Sequence, residues 1–231
     1  MTCMRKHAGL LQLSPGPNPI EILLMTVVRI VQCKDAEQLP NFVGLDDKYI
    51  VMPETPAQFN QALEDIARCS EIGFDTESKP TFKPGEVSGG PHLLQFATTQ
   101  TAYLFQVGLE GCLDAAKFLL ESNQILKIGF GLSSDRTRLR TKLGIELGHY
   151  LDLGTALHCQ AKKGQVGLRG AVAAVLQATF AKPRRISTSN WANPLLTQVQ
   201  QRYAANDAYA ALKVFLAIDP TVRESLRAAS R

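Results

Sequence analysis

Two rhythms of apolar spacing run through this 231-residue chain. Residues 54–69, ETPAQFNQALEDIARC, open with Thr55-Pro56, a capping residue and a proline at the first helical position. Their apolar side chains then recur three and four apart, which predicts a helix of about three turns. EIGFDTE at 71–77 is instead a short apolar run ending in acids, and it predicts a buried strand. The stretch SKPTFKPGEVSGGP that follows reads as a loop. HLLQFAT (92–98) and TAYLFQV (101–107) predict two paired strands around the TTQ turn. A helix near 111–122 leads to an apolar strand at 125–130, ILKIGF. SSDRTRLRTKLG predicts a capped helix ended by Gly144. A short strand around 150–153 precedes helices near 153–162 and 167–179, and a last long helix runs from about Pro194 to just before Pro220. No internal repeat marks a solenoid. The order describes an α/β fold of three layers, a mixed sheet flanked by helices on both faces. Carboxylates at strand ends and helix starts would meet at one edge of such a sheet.

Composition narrows the class. At 45% hydrophobic and 20% charged residues the chain is an ordinary globular one, which excludes wholesale disorder. Five cysteines, odd in number and without CxxC, exclude a disulfide framework and a zinc ribbon and fit a reducing compartment. The four histidines form no metal-ligand spacing and read as structural or surface groups. IEILLMTVVRI is broken by Glu21 and Arg29 and is too short to cross a bilayer, so no membrane association and a cytoplasmic location are expected. Residues 1–24 read as a leader, disordered or upstream of a working start at Met25. Residues 25–50 then read as an N-terminal extension, 51–219 as the main domain and 220–231 as a tail. The net charge of +4 is unevenly placed. Between Ala161 and Arg185 stand Lys162, Lys163, Arg169, Lys182, Arg184 and Arg185 with no acid, leaving the remainder at −2. Such a one-signed run suits phosphate backbones, with Lys182, Arg184 and Arg185 as the leading contacts; a solvated helix face is the plainer alternative.

The chemistry concentrates in GFDTE (73–77), GLSSD (131–135) and YAAND (203–207). Asp75 and Glu77, two apart on a strand, share a face and can hold one cation; alone they also read as an exposed strand end. Asp135 stands where a helix begins, and alone it equally reads as an N-cap. Tyr203 and Asp207 are i, i+4 on the last helix, in an alanine-rich stretch where a buried charge needs a partner. Four carboxylates crowd together only when cations neutralise them. Hard oxygen-seeking ions, Mg²⁺ or Mn²⁺, suit this set, and a pair of them suits in-line displacement at phosphorus. The residues therefore point to a phosphodiesterase.

They also resemble a known family: the ribonuclease D and Werner-type 3′–5′ exonucleases, the DEDDy branch of the DnaQ-like nucleases. The resemblance covers about residues 51–219. FDTE with KPTFKPG is similar to the first exonuclease motif, KIGFGLSSDRTRL to the second, and SNWANPLLTQVQQRYAANDAYAALKVF to the third with its YxxxD signature. LLQFATTQTAYLFQV resembles the strand pair between the first two. The resemblance implies the ribonuclease H-like fold and two divalent cations. It implies that Asp75, Glu77 and Asp207 hold the metal carrying the attacking water, and that Asp75 bridges to a second metal near Asp135. Tyr203 would orient or help deprotonate that water. Asp152, in YLDLGTAL, reads as a helix cap. Phe82 and Trp191 are candidates to stack on terminal bases, each with a core or loop-anchor alternative. The expected activity is release of nucleotides from 3′ ends of single-stranded nucleic acid, DNA or RNA, with no obligate protein partner. The competing class is a non-catalytic nucleic-acid-binding or scaffold module on the same fold.

Overall fold

A computed structural model of the chain describes residues 28–30, 38–81, 85–86, 89–159 and 165–230. The leader 1–24, Met25, Phe82, Lys162 and Lys163 lie outside the described residues. In chain order the first elements are β1 (Val28–Ile30), β2 (Ile50–Val51), α1 (Pro56–Ile66), β3 (Glu71–Glu77), β4 (Leu93–Ala97) and β5 (Ala102–Gln106). Then come α2 (Cys112–Glu121), β6 (Leu126–Gly129), α3 (Leu132–Arg138), β7 (Tyr150–Asp152), α4 (Leu153–Ala156) and β8 (Leu157–Cys159). Four helices close the chain: α5 (Leu168–Leu176), α6 (Arg184–Ser187), α7 (Gln198–Ala217) and α8 (Pro220–Ala229).

Six strands form a mixed sheet in the order β2-β5-β4-β3-β6-β7. β3 is central, antiparallel to β4 and parallel to β6. Its alternation divides the molecule. Ile72 and Phe74 join one core with residues of α1, α2 and α3. There Phe74 stacks on Phe96 at 5.5 Å, and Phe105 meets both Phe96 and Phe59 edge-on. On the opposite face Leu93, Ala97 and Leu104 pack with Ala204, Ala205 and Ala208 of α7. Small residues on α7 let it settle directly on the sheet. At Gly73 even a methyl would lie 1.9 Å from the Ala208 carbonyl oxygen, so only glycine fits under that helix. Helices thus cover both faces, the expected three-layer arrangement.

Local signals explain most boundaries. Thr55 caps α1 through a box with Gln58, as its sequence predicted. The last long helix begins at Gln198, not near Pro194, because Thr197 and Gln200 form a second capping box. After α3 the chain continues through a wider π turn, Leu139–Leu143, and stops at Gly144, whose φ of 66° is the left-handed stop expected there. One expectation is corrected outright. The helix near 153–162 lasts only for the four residues of α4, and β8 follows it. β8 pairs in parallel with β1, so its conformation depends on a partner over a hundred residues away.

Residues 42–47 and 219–229 both pack onto these elements. Phe42 packs against Phe180 and Tyr209, Leu45 donates its N–H to the Asn206 side chain at 3.0 Å, and Asp47 pairs with Arg202. The stretch read as a C-terminal tail contains α8, capped by Asp219, with Leu226 buried and Arg227 bonded to Glu71 at the start of β3.

Candidate active site

β3 delivers Asp75 and Glu77 to the sheet face beneath α7, since residues two apart on a strand share a face. α7 brings Tyr203 and Asp207 down onto them one turn apart. α3, starting at Gly131 after β6, carries Asp135 in its first turn. Asp135 is not the N-cap; Gly131 holds that position. The loop between α5 and α6 adds Lys182, whose Nζ lies 2.8 Å from Asp207 Oδ2. The contact is an ion pair with imperfect alignment, since neither Asp207 oxygen has a well-directed hydrogen bond.

Electrostatics tie these groups together. Asp207 is 1% exposed and Asp135 6%. Burial lifts the Asp75 carboxyl well above its usual range, and the charges of Asp207 and Asp135 push it further. Glu77 is raised to about 9 by burial and then by Asp75 and Asp207. Burial raises Asp207 to about 6, against the opposing pull of Lys182 and Tyr203. Burial also raises the Tyr203 phenol, as does the Asp207 charge. Asp135 is raised by burial while the Thr76 hydroxyl, donating to its Oδ1, holds it down. Burial is the largest cause at every one of these carboxyls, and repulsion between acids adds to it at Asp75 and Glu77. Among the described residues, however, no three His, Cys, Asp or Glu side chains converge as a ready ligand set. Asp207 is turned to Lys182 and Asp135 to Thr76. The donor chemistry of these carboxylates fits hard divalent cations, and Lys182 stands at Asp207 Oδ2 beside them.

A cavity of about 540 Å³ opens beside Asp75, Asp207 and Lys182 and is walled by Gly131, Gly154 and Gly167. Asp152 organises that wall. Its carboxylate accepts from the N–H groups of Gly131, Leu132 and Gly154, each at 2.9 Å, so it caps two helices at once. The sequence reading of a cap is extended, not replaced.

The nucleic-acid candidates separate. Arg184 and Arg185 are exposed on α6. Lys182 faces the carboxylates instead. Trp191 is a correction: it is 1% exposed, its indole N–H donates to the Ser187 carbonyl at 3.3 Å, and it packs against Tyr203. A ring so enclosed cannot stack on a base; it anchors the loop before α7. Sequence reasoning missed Thr76 and Gln95. Gln95 lies opposite Asp75 in register, wholly buried, with neither amide atom hydrogen-bonded. Its signal was a polar residue inside the otherwise apolar run LLQFA.

Residues 50–223 match the model of a protein family described as 3′–5′ exonuclease. The chain belongs to that family. It is 32% identical over 146 residues to the bifunctional 3′–5′ exonuclease/ATP-dependent helicase WRN of Mus musculus, covering 62% of this chain and 10% of that protein. A 3′–5′ exonuclease of Arabidopsis thaliana is 26% identical over 149 residues, 62% of this chain and 51% of its own length. The chain therefore spans a tenth of one relative and about half of the other. Among solved structures, the Nibbler EXO domain of Aedes aegypti superposes with a TM-score of 0.68 at 24% identity, over 81% of this chain and 98% of that one. Ribonuclease D of Trypanosoma brucei in complex with RNA U12 gives 0.64 at 18% identity, over 74% and 62%. The ribonuclease H-like exonuclease fold is common to them.

Proposed function

We propose that the chain is a divalent-metal-dependent 3′–5′ exonuclease acting on single-stranded ends. The observation that carries this reading is the gathering of the motif carboxylates, Asp75, Glu77, Asp135 and Asp207, with Tyr203 at one end of β3, each carboxyl raised by burial, and Asp75 and Glu77 raised further by acidic neighbours. Asp75, Glu77 and Asp207 would hold one cation, and Asp75 with Asp135 a second. Bound there, Mg²⁺ or Mn²⁺ would lower the pKa of water toward neutrality and stabilise the leaving 3′ oxygen. Tyr203 orients the nucleophile. A phenol whose ordinary pKa is near 10 is a poor base at neutral pH, so Tyr203 would position the water while the bound cation activates it. Arg184 and Arg185 hold the backbone of the approaching strand. Trp191 acts only by fixing the loop beside Tyr203.

Mn²⁺-dependent release of mononucleotides from the 3′ end of a 5′-labelled oligonucleotide, abolished by EDTA, is the expected result. DNA, RNA and dinucleotide substrates run in parallel identify the preferred one. Binding without hydrolysis would replace this reading by the scaffold module. The Lys182–Asp207 pair is the observation on that side.

A further inference from the structure

Lys182 is in an unusual place for a residue of a basic run. Its neighbours in sequence, Arg184 and Arg185, face solvent, whereas its own side chain is 29% exposed and ends at Asp207. The direction is imposed by the backbone on both sides. Upstream, Thr179 exchanges hydrogen bonds with the 40–42 segment: its N–H reaches the Pro40 carbonyl and its carbonyl accepts from Phe42, each at 2.8 Å. Phe180 is buried against Phe42. Downstream, Pro183 leads into α6, where the Ile186 N–H bonds back to its carbonyl at 2.9 Å. Lys182 is therefore projected inward over the Tyr203 ring, with Nζ 5.7 Å from its centroid.

The ammonium sits where neutralisation is needed. Asp207 is deeply buried, and Asp75 also lies within electrostatic reach of Lys182. With Nζ at 2.8 Å, the Oδ2 of Asp207 is already occupied by a cation. A hard divalent ion held by Asp207 would place a second positive charge against the same buried carboxylate, and the two cations would compete for it. The cavity beside Asp207 leaves the lysine a way out, since Lys182 itself lines it.

We infer that Lys182 is a built-in counter-cation: it occupies the Asp207 carboxylate while the site is metal-free and is expelled into the cavity when a divalent ion binds there. The inference rests on the metal-dependent reading above. It makes Lys182 a positioning residue, one that keeps the acidic cluster collapsed and available without metal, at the cost of weaker metal uptake.

The test needs no turnover. Mn²⁺ is titrated calorimetrically into the metal-free full chain, as wild type, Lys182→Met and Lys182→Arg. Removing a competitor raises apparent affinity by the reciprocal of the fraction of sites it leaves free, so Lys182→Met is expected to bind Mn²⁺ tighter, by about tenfold. Its melting midpoint should fall in EDTA and return toward wild type with saturating Mn²⁺. Lys182→Arg, which keeps a cation on Asp207, should bind no tighter than wild type. In the wild-type protein, acetylation of Lys182 followed by mass spectrometry should rise when Mn²⁺ is added; this readout holds even if a variant folds poorly. Equal Mn²⁺ affinity in wild type and Lys182→Met, or a Lys182 equally protected with and without Mn²⁺, overturns the inference and leaves the exonuclease reading standing. Absence of Mn²⁺ binding in every protein would instead remove the metal reading, and this inference with it.

Discussion

Asp75 and Asp207 look interchangeable as ligands, yet their surroundings predict different consequences for the same substitution. Asp75→Asn removes a buried acid that its acidic neighbours oppose, loses the attraction of Lys182 and keeps an oxygen to accept the Thr76 N–H, so the metal-free protein should melt at the same or a higher temperature. Asp207→Asn also strips Lys182 of its partner, so no such gain is expected. Both should abolish hydrolysis. Thermal melts in EDTA alongside single-turnover assays in Mn²⁺ separate the two effects, and persistent wild-type turnover in either variant would sink the ligand assignment. Tyr203→Phe keeps the ring against Trp191 and removes only the hydroxyl. A loss of about 10²–10⁴ in turnover is expected if that hydroxyl positions water. An unchanged rate would reduce Tyr203 to a packing residue. At this scale the sequence was most informative for the acids, whose motifs are local. It was least informative for Lys182 and Trp191, whose directions are set by contacts across the fold: the 40–42 segment for one, Ser187 and Tyr203 for the other.

Elements were legible where a segment's own chemistry decides its shape. β3 was visible from its apolar run and α1 from Thr55-Pro56. The start of α7 was written in Thr197 and Gln200, but the more conspicuous Pro194 drew the boundary outward. β8 could not be read locally because its strand conformation comes from pairing with β1. The contact between β3 and α7 gives an element-scale prediction. Gly73→Ala forces the helix off the strand, and destabilisation at or above the upper end of the ~1–3 kcal/mol typical of overpacking is expected in urea unfolding. Wild-type stability there would mean α7 does not press on β3. For α6, replacing Arg184 and Arg185 with alanine should leave stability alone. On a catalytically dead background in Ca²⁺, the salt slope of single-strand binding should become shallower by about 0.7 per lost phosphate contact. Identical slopes would return these arginines to the solvated face.

Across the whole molecule, the raised carboxyls make stability depend on pH. A folded protein that keeps Glu77 protonated to about 9 and Asp207 to about 6 binds more protons than its unfolded chain, whose carboxyls titrate near 4. Where the folded state binds more protons, stability falls as pH rises. The melting midpoint in EDTA should therefore contain a component that declines between about pH 4 and 9, smaller in Glu77→Gln, and saturating Mn²⁺ should suppress it. An identical pH dependence in wild type and Glu77→Gln would refute the assignment. The central position of β3 carries one more consequence. Its two outer neighbourhoods end in short strands, β2 with two residues and β7 with three, which can fray without disturbing β3, β4 or the helix resting on them. The amide protons of residues 72–76 should then exchange with deuterated solvent only through global opening, while those near 50–51 and 150–152 exchange far sooner. The strand bearing Asp75 would be among the last parts of the protein to open.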